Sequence, residues 1–338
     1  LKNISLTSIY NVGSGYANVL ETLLTELPKL DIDLYPRTYT SISERFNKYF
    51  YNASYNNPTL DFSLLPLNNE LTSLNPLYKM IFDKPRVLYT MWESTRLNDL
   101  LVEILNKFEC IIVPNQYNKV NFINQGIIKP IFVVPLFCDT SVFTYSPHIE
   151  RPEFFFGVSN EDPRKNLQKV ISCFLKAFNK TQDVKMFIKT CGRIERSVSS
   201  KLNYIDKRLD VHQLVDWYHN LDVYVSGATC EGWGMMQQES MCCGRPIIYT
   251  KYGGLKEFVN DENGFSVSFK EVESTGFWGG YGGKWSEFDE SDMIEKMIYC
   301  YNNRDVVKSR GLIASKQASI YTKENFIKNI YNIIEEYI

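Results

Sequence analysis

Short apolar runs alternate along the chain with longer segments of helical spacing. "ISLTSIY" (4–10) reads as a strand, and "SGYANVLETLLTELPKL" (14–30) sets Val19, Leu20, Leu23, Leu24 and Leu27 on one helical face. Strands are predicted at "DIDLYP", "LDFSLLPL" and "RVLYTMW". "LNDLLVEILNKF" (97–108) is helical, "CIIVPN" (110–115) a strand, "QYNKVNFINQG" a helix closed by Gly126, and "IFVVPLF" (131–137) a strand. The rhythm lapses over "CDTSVFTYSPHIERPE" (138–153), where two prolines mark a linker. It then restarts, with strands at "FFFGVS", "VKMFIKT", "DVYVSGA" and "PIIYT". The helices between them are "PRKNLQKVISCFLKAFNK", entered through Pro163, "LVDWYHNL", and "WGMMQQESMCCG", ended by Gly244. Further helices fill the chain from about 290. "FKEVESTGFWGGYGGKWSEFDE" (269–290) holds five glycines among aromatics. It is expected to be a long loop near the site, or a surface loop without a role.

Strands that are apolar throughout and alternate with helices make parallel sheets covered on both faces. Two such series predict an α/β protein of two Rossmann-like domains, with sheets facing across a cleft and ligands beyond the carboxyl ends of the strands. A length of 338 residues suits two domains. The expected divisions are 1–145, 151–320, and a C-terminal helix over 321–338 that packs back on the first domain.

Composition narrows the function classes. A net charge of −2 gives no nucleic-acid footprint. Eight cysteines form no C-x-x-C pair and fall in apolar runs, so they read as buried thiols in a reducing compartment. Three histidines stand apart from the cysteines, which argues against a metal site. "DID" (31–33) is formally D-x-D but falls between the first helix and the second strand, and reads as edge chemistry. No run of eighteen apolar residues predicts a membrane span, while peripheral membrane contact stays open. "LKNISLTSIY" lacks a signal-peptide core, and a start at Leu1 suggests a trimmed or partial product. The expected location is cytoplasmic.

Three segments carry candidate chemistry. In "NVGSGYANVL", Gly13, Ser14 and Gly15 join a strand to a helix whose N-terminus offers N–H groups to an anion. Without a third glycine, a plain tight turn competes equally with ligand contact. In "GVSNEDPRKN", Arg164 and Lys165 stand at a helix start, where cations oppose the macrodipole. A locally unfavourable placement points to a bound anion such as a diphosphate. In "ATCEGWGMMQQESMCCGRPII", Glu231 and Glu239 flank a helix N-terminus at a strand's carboxyl end. A carboxylate there can accept two hydrogen bonds from a sugar diol. On spacing alone, an exposed helix residue and a dipole partner serve as well.

"CEGWGMMQQESMCCGRPIIYTKYGGLKEFV" resembles the E-x7-E signature of retaining GT-B glycosyltransferases, family four. "EDPRKNLQKVISCFLKAF", "DWYHNLDVYVSGATCEGWG" and "NQYNKVNFINQGIIKPIFVVPLFCDTSVF" are similar to other segments of that family. The resemblance covers most of 86–268 and nothing in 36–85. It implies transfer of a sugar from a nucleoside-diphosphate sugar to a glycan or other hydroxyl acceptor, without metal or other cofactor. By the same resemblance, Glu239 would bind the donor ribose and Glu231 the sugar near its reacting carbon. Arg164 and Lys165 would hold the diphosphate. The backbone from Gly232 and Trp233 through Gly234, Met235 and Met236 would line the pocket, and Gly13 to Gly15 would face the leaving group. Glu93, in "TMWES", is a candidate on the acceptor side. Val158 and Ser159 stand where some members carry an arginine, which shifts weight to Arg164, Lys165 and Lys189. Both glutamates are expected at the cleft rather than in the core. Other readings are a catalytically silent nucleotide-sugar or glycan-binding protein, an epimerase of similar architecture and, behind these, a dehydrogenase.

Overall fold

The structure is a computed structural model that describes residues 2–8, 15–38, 42–51, 58–67, 85–160, 162–190, 196–274 and 282–338. The chain divides into two compact units. The first comprises Leu1–Phe137, Trp278–Gly283 and Lys323–Ile338, the second Cys138–Phe277 and Lys284–Thr322.

The first unit holds β1 (Lys2–Ser8), α1 (Gly15–Glu26), β2 (Ile32–Arg37), α2 (Glu44–Tyr51), β3 (Leu60–Leu64), β4 (Arg86–Tyr89), α3 (Asp99–Leu105), β5 (Cys110–Val113), α4 (Gln116–Asn124) and β6 (Ile131–Val133). Its strands form one parallel sheet in the order β2-β1-β3-β4-β5-β6. The strands read as apolar are buried: Leu60, Phe62 and Leu64 of β3, and all of Cys110–Val113. "DID" leads into β2, an edge strand. α1 is followed by a 3-10 turn over Leu27–Leu30.

In the second unit come β7 (Phe154–Asn160), α5 (Leu167–Ala177), β8 (Val184–Thr190), β9 (Leu202–Ile205), α6 (Val211–His219), β10 (Val223–Val225), α7 (Met235–Cys242), β11 (Ile247–Thr250) and β12 (Gly264–Val267). β13 (Phe269–Glu273), β14 (Lys284–Phe288), α8 (Glu290–Asn302) and α9 (Arg304–Ala318) follow. The sheet is parallel, in the order β12-β11-β10-β7-β8-β9. Its core joins Phe154, Phe156 and Val158 of β7 to Val170, Ile171 and Phe174 of α5, the helical spacing anticipated from the pattern. Gly157 lets β7 approach Leu221, whose Cδ1 would lie 2.1 Å from a Cβ built there. The last helix, α10 (Lys323–Tyr337), returns to the first unit. There the Phe326 ring meets Tyr89 edge-on at 5.8 Å and lies tilted against Phe137 at 5.0 Å, and Glu335 pairs with Lys2.

The segment expected as a loop over 269–290 is different at its ends. β13 and β14 pair antiparallel from Phe269↔Phe288 to Glu273↔Lys284. The cross-strand register sets Phe269 opposite Phe288 and Val272 opposite Trp285, pairing the apolar residues of the two strands, and the glycines that suggested a loop fall between them in the sequence. Residues 275–281 lie outside the described residues. Among the described residues, no helix is long and apolar enough to cross a membrane.

Residues 138–153, anticipated as a linker, lie in the second unit. His148 Nε2 donates to the Asp222 carbonyl at 3.0 Å. Burial and the Arg245 charge lower its pKa from 6.5 to about 4. The unfolded chain therefore binds a proton more readily between those values, and folding stability falls as pH drops through that window. Stability should fall by about 2–3 kcal/mol from pH 7 to pH 4 on this account. Chemical denaturation across that range checks it: His148→Gln, which can keep the hydrogen bond, should flatten the slope. An unchanged slope would assign the acid loss elsewhere.

Candidate active site in the second unit

The second sheet changes direction at β7. From β7 the chain moves outward to β8 and β9, then returns to the other side at β10. Such a switch point leaves a crevice at the carboxyl ends of the two strands. The loop after β7 carries Asp162–Asn166, and the loop after β10 carries Thr229–Gly234.

The first loop is a 3-10 turn, Pro163–Lys165, capped by Asp162 Oδ1, which accepts from Arg164 N at 2.8 Å. Asn166 adopts φ +52° and donates through Nδ2 to the Gly227 carbonyl at 3.0 Å. Thr229 N donates to the Arg164 carbonyl at 3.0 Å. These bonds tie the two loops together. They set Arg164 and Lys165 against the carboxylate of Glu231.

Glu231 is 4% exposed. Lys165 Nζ donates to its Oε1, and Arg164 Nη1 lies 3.4 Å from its Oε2. Arg164 also donates to the Cys230 carbonyl, and its Nη2 lies 3.6 Å from Asp162 Oδ2. Gln237 Nε2 reaches both Glu231 Oε1 at 3.0 Å and Ser226 Oγ at 2.9 Å. Burial pushes the Glu231 carboxyl up, but the Lys165 and Arg164 charges, with hydrogen bonds from Lys165 and Gln237, outweigh it and hold the pKa at about 2. Glu231 is thus an anion at any physiological pH.

Two elements brace the Glu231 loop. At Gly253, φ +65°, a Cβ would stand 2.9 Å from both Cys230 Sγ and the Glu231 carbonyl oxygen; Gly254 N donates to that carbonyl at 2.7 Å. Ser286 of β14 donates to the Thr229 carbonyl through N at 2.9 Å and Oγ at 2.6 Å.

α7 begins at Gly234, φ +101°, which provides no side-chain cap. Its first N–H groups, including those of Met235 and Met236, have no partner within the helix and sit at the electropositive end of its dipole. Glu239 lies one turn on and is 7% exposed, with Oε2 accepting from Tyr218 OH at 3.0 Å. Both glutamates are therefore more buried than a cleft position suggested.

The remaining candidates separate. Gly232 is buried beside Glu231, and Lys189 is buried at the end of β8, in register with Ser159. The Trp233 ring packs 5.0 Å from Phe258 and its Nε1 donates to Gln238 Oε1, so only its backbone is available to a ligand. Gly15 opens α1, while Gly13 and Ser14 lie outside the described residues. Glu93 follows β4 in the first unit and is partly buried. Its neighbours are fixed: Trp92 N donates to Asn118 Oδ1 at 2.5 Å, and Ser94 Oγ to the Gly282 carbonyl at 3.0 Å. Among the described residues, no three His, Cys, Asp or Glu side chains gather as a metal ion would require.

Gln237 and Tyr218 were not anticipated. The signal for Gln237 was a pair of amides inside a segment otherwise read as apolar. Tyr218 had no signal apart from sitting in a helix ahead of the strand that leads to Glu231.

Residues 148–275 match the family model for glycosyl transferases group 1. The poly(ribitol-phosphate) alpha-N-acetylglucosaminyltransferase of Staphylococcus aureus is 21% identical over 248 residues, 69% of this chain and 45% of that protein. Among solved structures, sucrose-phosphate synthase from Thermosynechococcus elongatus superposes with a TM-score of 0.74 at 12% identity, covering 99% of each chain. HepE of Anabaena, solved with UDP and glucose, gives 0.68 at 12% identity, covering 99% of this chain and 100% of that one. The match spans 35%, 45% and 55% of the length of three of the curated relatives, and less of others. It therefore has the GT-B fold, and its second unit carries the group 1 glycosyl transferase match.

Proposed function

We propose that the chain is a retaining glycosyltransferase of family four. It moves a hexosyl group from a nucleoside-diphosphate sugar to a hydroxyl acceptor without a metal ion. The observation that carries this reading is the convergence of Arg164, Lys165 and Glu231 at the switch point, beside the N-terminus of α7. Breaking the bond between the anomeric carbon and the phosphate oxygen places negative charge on the diphosphate and positive character on the sugar. Arg164, Lys165 and the first N–H groups of α7 meet the first, and the Glu231 carboxylate meets the second. These cations take the part a divalent ion plays elsewhere. The acceptor oxygen attacks from the face the diphosphate leaves, and its proton passes to the departing phosphate oxygen. Glu239 holds the ribose, Lys189 adds charge near the diphosphate, and Glu93 serves the acceptor.

The test is release of nucleoside diphosphate from a panel of nucleotide sugars, with excess chelator in one arm and manganese in another. Release should occur with one donor and persist with chelator. Activity lost with chelator and restored by manganese would overturn metal independence, and no release from any donor would favour a silent binding protein.

Glu239 meets a part of the donor that does not change during reaction. A lost charge-assisted hydrogen bond costs about 1.5–3 kcal/mol. Glu239→Ala should therefore raise the donor KM roughly 10- to 150-fold with little change in kcat. A fall in kcat at unchanged KM would reassign it.

A further inference from the structure

Tyr218 lies on α6, fully buried, with its ring edge-on to Phe143 and Tyr224 at 6.2 and 6.3 Å. Its own carbonyl accepts from Arg245 Nε at 3.1 Å, so backbone and ring are both held. The hydroxyl stands 3.0 Å from Glu239 Oε2 and 3.0 Å from the Met236 carbonyl. A phenol has one proton to donate, and both of these groups accept. Burial and the Glu239 charge raise the Tyr218 pKa well above 10, so the proton stays on the oxygen. The hydroxyl thus bridges the first turn of α7 to the carboxylate one turn further on.

Glutamate has three side-chain torsions, which must be fixed before its carboxylate can meet a ligand in one geometry. An immobile donor on one oxygen restricts it to one orientation, which lowers the ordering cost when a diol binds.

We propose that Tyr218 is a positioning residue for nucleotide recognition, setting the Glu239 carboxylate for a vicinal diol such as that of a ribose. The inference rests on the reading of Glu239 as the ribose-binding group. Tyr218 itself does not touch the donor.

The experiment is calorimetric binding of UDP, GDP and ADP, and of the 2′-deoxy form of whichever binds best, to four proteins: the unaltered chain, Tyr218→Phe, Glu239→Ala and the double variant. Tyr218→Phe should weaken ribonucleotide binding by about 2- to 13-fold, the effect of losing one ordinary net hydrogen bond. It should narrow the preference for ribo- over deoxynucleotide, an effect that loosened packing would not produce. In the Glu239→Ala background the same change should matter less than about twofold, since interacting residues are non-additive. Steady-state kinetics should show a raised KM with kcat retained.

If Glu239→Ala weakens binding while Tyr218→Phe leaves affinity and ribose preference untouched, the positioning role is overturned and the reading of Glu239 stands. Equal losses from Tyr218→Phe in both backgrounds also overturn it, as a purely structural effect would. If Glu239→Ala leaves affinity intact, or none of the three diphosphates binds, both fall together.

Discussion

Replacing Lys165 by alanine should lower the rate of sugar transfer by about 10²- to 10³-fold, the usual effect of removing one preorganised group that stabilises developing charge. Lys165 Nζ sits on Glu231 Oε1, and Arg164 Nη1 is 3.4 Å from Oε2 of the same carboxylate. The two cations therefore face Glu231, with Asp162 near Arg164 as well. On the proposed reading a diphosphate draws on the same cations. Glu231→Gln should thus separate binding from turnover: transfer should fall by a similar factor, while affinity for nucleoside diphosphate holds or rises. The paired measurement is calorimetry on the diphosphate beside single-turnover transfer. Diphosphate affinity that collapses in Glu231→Gln would mean that the carboxylate organises the cations rather than competing for them.

The second large effect concerns stability. Arg245 is fully buried and donates to carbonyl oxygens: Nη1 to Ser146 at 2.8 Å, Nη2 to His219 at 2.8 Å and Nε to Tyr218 at 3.1 Å, with Gly244 and Pro147 at 3.4 and 3.3 Å. Burial lowers its pKa to about 10, which still leaves it charged near neutrality. The guanidinium fork thereby joins the segment after Phe143 to the end of α6. Arg245→Met removes it and leaves buried acceptors unsatisfied, at about 1–3 kcal/mol each where water cannot replace the donor. The second unit should lose about 3–5 kcal/mol, seen as a fall in Tm of about 10 °C. Arg245→Lys should recover little, because a single ammonium has three donors and cannot reach all five carbonyls. A Tm shift below about 2 °C in Arg245→Met would refute the role.

These two clusters also mark how far the sequence could be read. Strands such as "FFFGVS" and "CIIVPN" were legible because burial on both faces leaves them apolar throughout, and α5 because Leu167, Val170, Ile171 and Phe174 recur at helical spacing. β9, "LNYI", escaped: it is an edge strand with one buried residue, Leu202, and no apolar run to announce it. The hairpin escaped because glycines dominated the segment. At the site, Arg164, Lys165, Glu231 and Glu239 stood out as charges beside turn signals. That Lys165 and Arg164 pair with Glu231 was not legible, since it depends on how the loops after β7 and β10 meet across a strand order the pattern does not state. Gln237, Tyr218 and Arg245 were hidden for a related reason. Each is a polar group buried inside apolar sequence, and only its partners in the folded chain reveal its purpose.

The most direct measurement is the anomer released when the protein hydrolyses an α-linked nucleotide sugar without acceptor, followed by proton NMR before mutarotation. The account predicts the α anomer first, at a rate that falls by about 10²-fold or more in Lys165→Ala. Release of the β anomer would contradict retention at this site, and an α anomer formed equally fast by Lys165→Ala would contradict the role given to the cations around Glu231.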